Sequence, residues 1–398
     1  MKLRRIALAV LLLATLAAVA AYVFRGPLSM AVAQRVVAGR LAADLLGTLP
    51  DGLHVGVCGA GSPFPDDRRS GPCTTVVAGK RLFVFDAGSG SARNIGKLGF
   101  VHGRIEAIFL THFHSDHIDG LGELLLQRWV STANAAPVPV FGPTGVYQVV
   151  AGLRLAYAQD QHYRVAHHND ATVPASGFGA LAQTFTPGPD GRVVVLKDGD
   201  LEIIAFNVDH APIHPAVGYR ISYKGRSVVL SGDTRKSAAV QREAQGVDLL
   251  VHEALSEPLM AVLESGAAQA GRPKLKKIFN DILNYHTTPE QAAEIARDAK
   301  VRYLLLNHIV PGLPFPGMEQ AFLGGAASIF TGPLRIARDG DFLSLPPGST
   351  AIMPFLGMWM VSPRMVRVAP RFIVIELSSH MSLFQLVLAE ITMPCVLL

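Results

Sequence analysis

Thr111-His112-Phe113-His114-Ser115-Asp116-His117-Ile118-Asp119-Gly120 places three imidazoles and a carboxylate within positions 112 to 117. Burying that many polar groups is costly unless they coordinate something. Nitrogen and oxygen donors of this kind suit zinc, or manganese and iron. The segment directly follows the apolar run Ile105–Leu110, so a buried strand is expected to deliver it to the edge of a sheet, where ligands bind in α/β proteins. Strand alternation puts His112 and His114 on one side, with Asp116 and His117 following as the chain turns into a helix. One cluster cannot close a site alone. Three later strand ends offer further donors: Asp209-His210 after Leu201–Val208, Gly232-Asp233 after Ser227–Ser231, and Asn307-His308 after Tyr303–Leu306.

The elements that must position these residues alternate between strand and helix signals from residue 53 onward. Strands are expected at Leu53–Cys58, Thr74–Ala78, Leu82–Asp86, Val217–Tyr223 and Leu249–Val251, and helices at Gly120–Val130 and Pro289–Ala299. Thr287 or Thr288 caps the latter, with Pro289 in its first turn. Many β runs with interspersed helices argue for an α/β fold of two stacked sheets. Trp129 and Tyr157 read as core, and His167-His168 as a surface pair.

Before that domain, Lys2, Arg4 and Arg5 precede Ile6–Phe24, which carries no charge and is about long enough to span a bilayer. Ala18-Val19-Ala20 would suit signal-peptide cleavage, but apolar Tyr22-Val23-Phe24 continues past it and favours a retained anchor. Both readings export the rest of the chain. The expected organisation is a signal anchor or signal peptide at 1–25, a linker helix at 26–48, the catalytic domain at 49–348, and an apolar tail at 349–398 outside that domain. The tail holds six of the ten methionines.

The net charge of +5 is unevenly distributed. Six basic residues against Asp44 give 1–48 a charge of +5, and three against two give 349–398 a charge of +1, which leaves −1 over 49–348. Such a domain has no global field to hold nucleic acid. Its one basic run is Arg272-Pro273-Lys274-Leu275-Lys276-Lys277, expected to be a solvated loop. The three cysteines, Cys58, Cys73 and Cys395, exclude a disulfide scaffold, and Cys58 and Cys73 read as buried free thiols.

In these residues and their order, the chain resembles the metallo-β-lactamase-fold hydrolases, whose signature is His-x-His-x-Asp-His followed by a later His, an Asp and a final His. The resemblance covers about 53–347. It implies a four-layer αβ/βα sandwich of two mixed sheets with flanking helices, and two divalent metal ions at one edge. By family pattern His112, His114 and His210 hold the first metal, Asp116, His117 and His308 the second, and Asp233 bridges them. His214 is the rival of His210, which is preferred because it directly ends a strand. Gly59-Ala60-Gly61-Ser62-Pro63, Phe85-Asp86-Ala87-Gly88, Gly218-Tyr219-Arg220, Ser231-Gly232-Asp233-Thr234, Val251-His252-Glu253-Ala254 and Tyr285-His286-Thr287-Thr288-Pro289 are similar to the ribonuclease Z and arylsulfatase-like branch.

The resemblance implies two-metal hydrolysis. Asp116 would also orient or deprotonate the water, and His252, oriented by Glu253, would protonate the leaving group. Ribonuclease Z proteins usually carry a tRNA-gripping arm between the Gly-Tyr-Arg and Ser-Gly-Asp-Thr motifs, where this chain has only Ile221–Leu230. The short connection, the export signal and the neutral domain argue against tRNA processing and against a nucleic-acid partner. They favour a small phosphate or sulfate ester as substrate, with a lactone or carboxylic ester as runner-up. A non-catalytic, membrane-tethered metal-binding protein is the alternative outside enzymes. Asp233, where the commonest zinc β-lactamases have Cys, disfavours β-lactam hydrolysis. Dimers are common in the resembling branch, so a homodimer is possible.

Overall fold

The structure is a computed structural model that describes residues 2–354. Residues 355–398, most of the expected tail, lie outside the described residues.

Met1–Leu45 forms a unit of its own, made of helices Lys2–Val23 and Arg25–Ala42. Arg4–Val23 has a mean hydropathy of 2.6, and by length and composition it could cross a membrane. The second helix buries no side chain.

In the other unit, strands β1 (Leu53–Gly59), β2 (Cys73–Ala78), β3 (Arg81–Phe85), β4 (Ile105–Phe109), β5 (Val138–Gly142) and β6 (Ala180–Thr184) form most of one sheet. Strands β7 (Arg192–Asp198), β8 (Leu201–Asn207), β9 (Val217–Tyr223), β10 (Arg226–Leu230), β11 (Leu249–Leu255), β12 (Tyr303–Val310) and β13 (Leu334–Ile336) form the other. β14 (Phe342–Leu345) and β15 (Met353–Pro354) return to the first, giving the orders β15-β14-β1-β2-β3-β4-β5-β6 and β13-β12-β11-β10-β9-β8-β7. Both sheets are mixed: β3 to β6 run parallel, as do β10 to β13, and the remaining pairs are antiparallel. The pairing of β14 with β15 continues past residue 348 to Pro354.

The sheets stack through alternating apolar residues. Val55, Val57, Phe83, Phe85 and Phe109 of the first meet Ile203, Ala205, Tyr219, Ile221, Val228 and Val251 of the second in one buried cluster. Phe109 lies parallel to Phe85 and Phe141, at 4.9 Å from each ring, and edge-on to Tyr219 at 5.7 Å. Helices cover the outer faces. Leu121–Val130 buries Leu121, Leu124, Leu125 and Trp129, so Trp129 is core. Pro289–Asp298 buries Ala292, Ala293, Ile295 and Ala296, beginning with Thr288 as N-cap in a reciprocal bond pair with Gln291. The chain is thus the expected α/β sandwich of two mixed sheets between helices.

One expectation is corrected. Cys58 and Cys73 are joined as a disulfide rather than free thiols. The β1–β2 register shifts between Val57 and Gly59, so Cys58 is an extra residue in a bulge. The bulge brings its Cα to 4.9 Å from that of Cys73, within bridging range. The sequence pattern places Cys58 in a strand and Cys73 beside one but does not reveal the bulge that faces them together.

The bridge spans a sequence separation of 15. Replacing both cysteines by serine is expected to lower the unfolding free energy by about 3 kcal/mol, the chain-entropy value for such a loop. Urea unfolding of the full-length protein measures this. A loss below about 0.5 kcal/mol would show that the cross-link does little for the fold.

Candidate metal centre

Parallel strands end at one edge of each sheet, and the chemistry gathers there. β4 runs into Leu110 and Thr111, and the short helix Ser115–Ile118 then presents Asp116 and His117. The start of this loop is docked onto the second sheet: the buried Tyr219 hydroxyl donates to the Leu110 carbonyl (2.6 Å) and the Val217 N–H to that of Thr111 (3.0 Å). Beneath the loop, the Gly88 N–H donates to the Pro72 carbonyl and the Ala87 N–H to that of His117. A Cβ on Gly88 would collide with the Asp116 carbonyl oxygen, so only glycine permits this nesting.

His210 follows β8 and Asp233 follows β10, whereas His308 lies inside β12. The β11–β12 register shifts at that point: Glu253 pairs with Asn307 and Ala254 with Ile309, leaving His308 as the bulged residue at φ +46°. The bulge turns its side chain into the site at some cost in backbone strain.

Two donor groups result. His112, His114, His210 and Asp233 form one, and Asp116, His117 and His308 the other, with the ligand atoms of each group all within 4.8 Å of one another. The Asp233 Oδ2 atom lies between them, 3.8 Å from His112 Nε2, 4.0 Å from His210 Nε2, 3.3 Å from His117 Nε2 and 3.2 Å from His308 Nε2. Asp116 Oδ2 is 3.6 Å from His117 Nε2 and 3.3 Å from His308 Nε2. All seven residues named from the sequence therefore converge. His214, by contrast, is exposed and belongs to neither group.

The far sides of the rings are held as metal-binding imidazoles usually are. His117 Nδ1 donates to Asp86 Oδ2 (2.9 Å) and His210 Nδ1 to the Tyr285 carbonyl (2.9 Å), while His112 Nδ1 meets Thr111 Oγ1 at 3.0 Å. Asp86, at φ +56°, also accepts from the Thr111 N–H and hydroxyl. The sequence motif contains Asp86, but nothing in its spacing shows that it grips His117.

Electrostatics and orphaned atoms both fit a cation. His117 Nε2 is buried within the donor set with no hydrogen-bond partner among the described residues. Burial depresses the basicity of His112, His114 and His210. Burial acts the same way on His308, but the charges of Asp233 and Asp116 outweigh it and raise its pKa to about 9. Asp233, Asp86 and Asp116 likewise hold His117 well above its ordinary value against burial. Burial works against the charge of Asp233, yet His308 and His117 keep it well below the usual carboxylate range. The metal-free site thus takes up protons where cations belong.

The expected pairing of His252 with Glu253 is corrected. His252 is fully buried, and its Nδ1 bonds to the backbone carbonyl of Glu253 (2.8 Å), not to the carboxylate. Glu253 Oε1 instead meets His286 Nδ1 at 3.0 Å and accepts from the N–H groups of Thr234 and Thr287 (3.1 Å each). The reason is strand geometry: His252 and Glu253 are adjacent in β11, so their side chains point to opposite faces. His286 itself lies at the site, 5.5 Å from the His308 ring and grouped with Asp233 and His308. It stands inside the Tyr285–Pro289 motif, but its link to Glu253 spans 33 residues of sequence, so no local signal reveals its role.

Comparison with known proteins agrees with this architecture. A family model described as a beta-lactamase superfamily domain matches residues 81–309, and the chain belongs to that superfamily. The superfamily match, the Ribonuclease Z relatives and the two donor groups together support a metal-dependent hydrolase. Within the superfamily it falls in the ribonuclease Z branch. It is 37% identical over 301 residues to Ribonuclease Z of Mycolicibacterium gilvum, a match covering 75% of this chain and 98% of that one. With Ribonuclease Z of Mycobacterium avium it shares 36% identity over 289 residues, covering 72% and 96%. Among solved structures, the metallo-β-lactamase-fold protein YhfI of Bacillus subtilis superposes with a TM-score of 0.53 at 20% identity, covering 74% of this chain and all of that one. The short form of human tRNase Z gives 0.51 at 21%, covering 74% and 99%. These two likenesses support the fold.

The relatives overturn the expectation that a small ester is the substrate, that tRNA processing is disfavoured and that nucleic acid is an unlikely partner. That expectation rested on the short Ile221–Leu230 connection, the export signal and a charge averaged over 300 residues, whereas contact with phosphates depends on a few local cations.

His210→Ala is expected to lose metal, while His214→Ala keeps full content by elemental analysis; the reverse would make His214 the ligand. Because bound histidines must be neutral, metal uptake at pH 7 should release protons, detectable by calorimetry in buffers of different ionisation enthalpy. Apparent affinity should rise about tenfold per pH unit for each proton displaced, up to about pH 9. In the metal-free protein the raised pKa of His308 stabilises the fold fully below 6.5, and this contribution fades as pH rises through about 9. Uptake that is independent of pH and releases no protons would refute this picture.

Proposed function

We propose that the protein hydrolyses phosphodiester bonds in RNA, as a ribonuclease Z-type endonuclease, at the centre formed by His112, His114, Asp116, His117, His210, Asp233 and His308. The observation carrying this reading is the seven-donor centre with His286 and Glu253 beside it, in a chain 37% identical to a Ribonuclease Z over nearly that protein's whole length.

Imidazole and carboxylate donors favour zinc, and two such ions would supply a water acidified toward neutrality and polarise the phosphoryl oxygen. His112, His114 and His210 would hold one ion, and Asp116, His117 and His308 the other, with Asp233 shared. Asp116 meets His117 and His308 through Oδ2 alone, and its carboxylate would also orient or deprotonate the attacking water. Asp86 keeps the His117 ring in place.

His286 is the group that completes the reaction. With Nδ1 held by the Glu253 carboxylate, its other nitrogen can exchange a proton at the site. Water forms the new P–O bond as its proton passes to Asp116, the bond to the leaving oxygen breaks, and His286 gives that oxygen its proton. Glu253 steadies the ring through its contact with Nδ1. Tyr285, whose carbonyl fixes His210, sets the backbone from which His286 projects.

Two observations support placing this unit outside the cytosol, attached through the apolar Arg4–Val23 helix: that helix, and the buried Cys58–Cys73 disulfide, which is rare in reducing compartments. A reporter fused after residue 48 is expected to be active only as an export reporter; activity solely with a cytosol-specific reporter would overturn the placement.

The functional test is cleavage of a 3′-extended tRNA by the metal-loaded full-length protein. His286→Ala is expected to retain metal yet lose about 10²–10⁴-fold in rate on RNA. On an aryl phosphodiester, whose leaving group departs without a proton, the loss should be far smaller. His252→Gln should show no such dependence on leaving group. Equal losses of His286→Ala on both substrates would reduce His286 to a positioning role, and absence of RNA cleavage by the wild type would refute the function.

A further inference from the structure

Between Glu253 and His286 the chain makes an excursion of two helices, Glu257–Gln269 and Pro273–Asp281. It leaves and rejoins the sheet at one point, because the Leu255 N–H donates to the Thr287 carbonyl at 2.8 Å. The base of the excursion therefore adjoins the Glu253–His286 pair, and its helices run from there to a tip at residues 270–272. An apolar seam holds them there. Leu255, Met260 and Val310 are buried together, and Phe64, Leu263, Phe279, Ile282 and Leu283 pack against them. Phe279 meets Phe64, on the loop after β1, at 5.8 Å between rings.

The opposite side of the second helix is cationic. Arg272, Lys274, Lys276 and Lys277, expected from sequence to be a loop, cap and begin this helix and are largely exposed. Lys276 pairs with Glu264 at 3.5 Å and Lys277 with Asp281, whereas Arg272 and Lys274 have no acidic partner among the described residues. In a domain whose charge is close to zero, two unpaired cations at the tip of a hairpin rooted beside the Glu253–His286 pair form a local anchor. Screening limits their reach to about 8 Å at physiological salt, so they act on groups lying against the helix.

We propose that Arg272 and Lys274 contact the phosphate backbone of an RNA substrate away from the scissile bond, about a helix length from the centre, a surface that rests on the ribonuclease reading of the metal centre. An anionic membrane fits less well. Insertion of an amphipathic helix needs a broad exposed apolar face, and Ile278 is the one large apolar side chain this helix exposes among the described residues.

The test uses the full-length, metal-loaded protein carrying Arg272→Glu and Lys274→Glu together, with Lys300→Glu as a charge control elsewhere. Binding of a structured RNA made cleavage-resistant by phosphorothioate linkages is followed by fluorescence anisotropy over a range of salt. The double variant is expected to bind at least about tenfold more weakly at about 0.15 M salt, with the slope of log affinity against log salt reduced by about 2. Turnover of a small aryl phosphodiester should stay within about twofold of wild type, showing an intact centre. A neutral pair, Arg272→Gln with Lys274→Gln, should fall between. RNA affinity and salt slope equal to wild type would overturn the proposal. So would weakened binding to phosphatidylglycerol vesicles with RNA binding unchanged. RNA binding lost in the variant, with no RNA cleavage by wild type, would uphold this surface while refuting the ribonuclease function.

Discussion

The Asp233 carboxylate is the constraint around which the site is built. One of its oxygens lies within 4.0 Å of ring nitrogens from four histidines that arrive on three different chain segments. A buried anion is costly unless positive charge surrounds it, and removing its partners would leave that cost uncompensated. Without metal, His117 and His308 meet this demand by holding protons. The sandwich makes the arrangement possible, since two sheets bring several parallel strand ends to a common edge. The stacked Phe85, Phe109 and Phe141 rings and Tyr219 keep the root of the metal loop from shifting.

Local strain is concentrated in the same place. Asp86 and His308 both adopt left-handed backbone, which costs of order 1–3 kcal/mol each in non-glycine residues. Each gains a specific contact in return: Asp86 grips His117, and the bulge at His308 aims its ring between Asp116 and Asp233. The buried core between the sheets is extensive enough to tolerate both.

Much of this was legible in the sequence because strand ends and ligand types are local signals. The run from His112 to His117 follows an apolar strand, and His210, Asp233 and His308 each follow or end another, so the seven donors could be named. What sequence could not show depends on relative facing. Adjacent residues in a strand point apart, so Glu253 serves His286 across a helical hairpin rather than its neighbour His252. Bulges shift that alternation by one residue, which is why Cys58 faces Cys73 and His308 faces the site. The basic run from Arg272 to Lys277 is visible in the sequence but reads there as a solvated loop; its place in a helix of the hairpin between Glu253 and His286 depends on tertiary packing.

The central claim is that one carboxylate is shared by two cations. Asp233→Asn keeps the shape and hydrogen-bonding capacity of the side chain but removes its charge. Elemental analysis of the full-length variant after reconstitution with zinc and exhaustive dialysis is the direct measurement. The account predicts that metal falls from two ions per chain to one or fewer while the fold persists. Retention of two tightly held ions would contradict it.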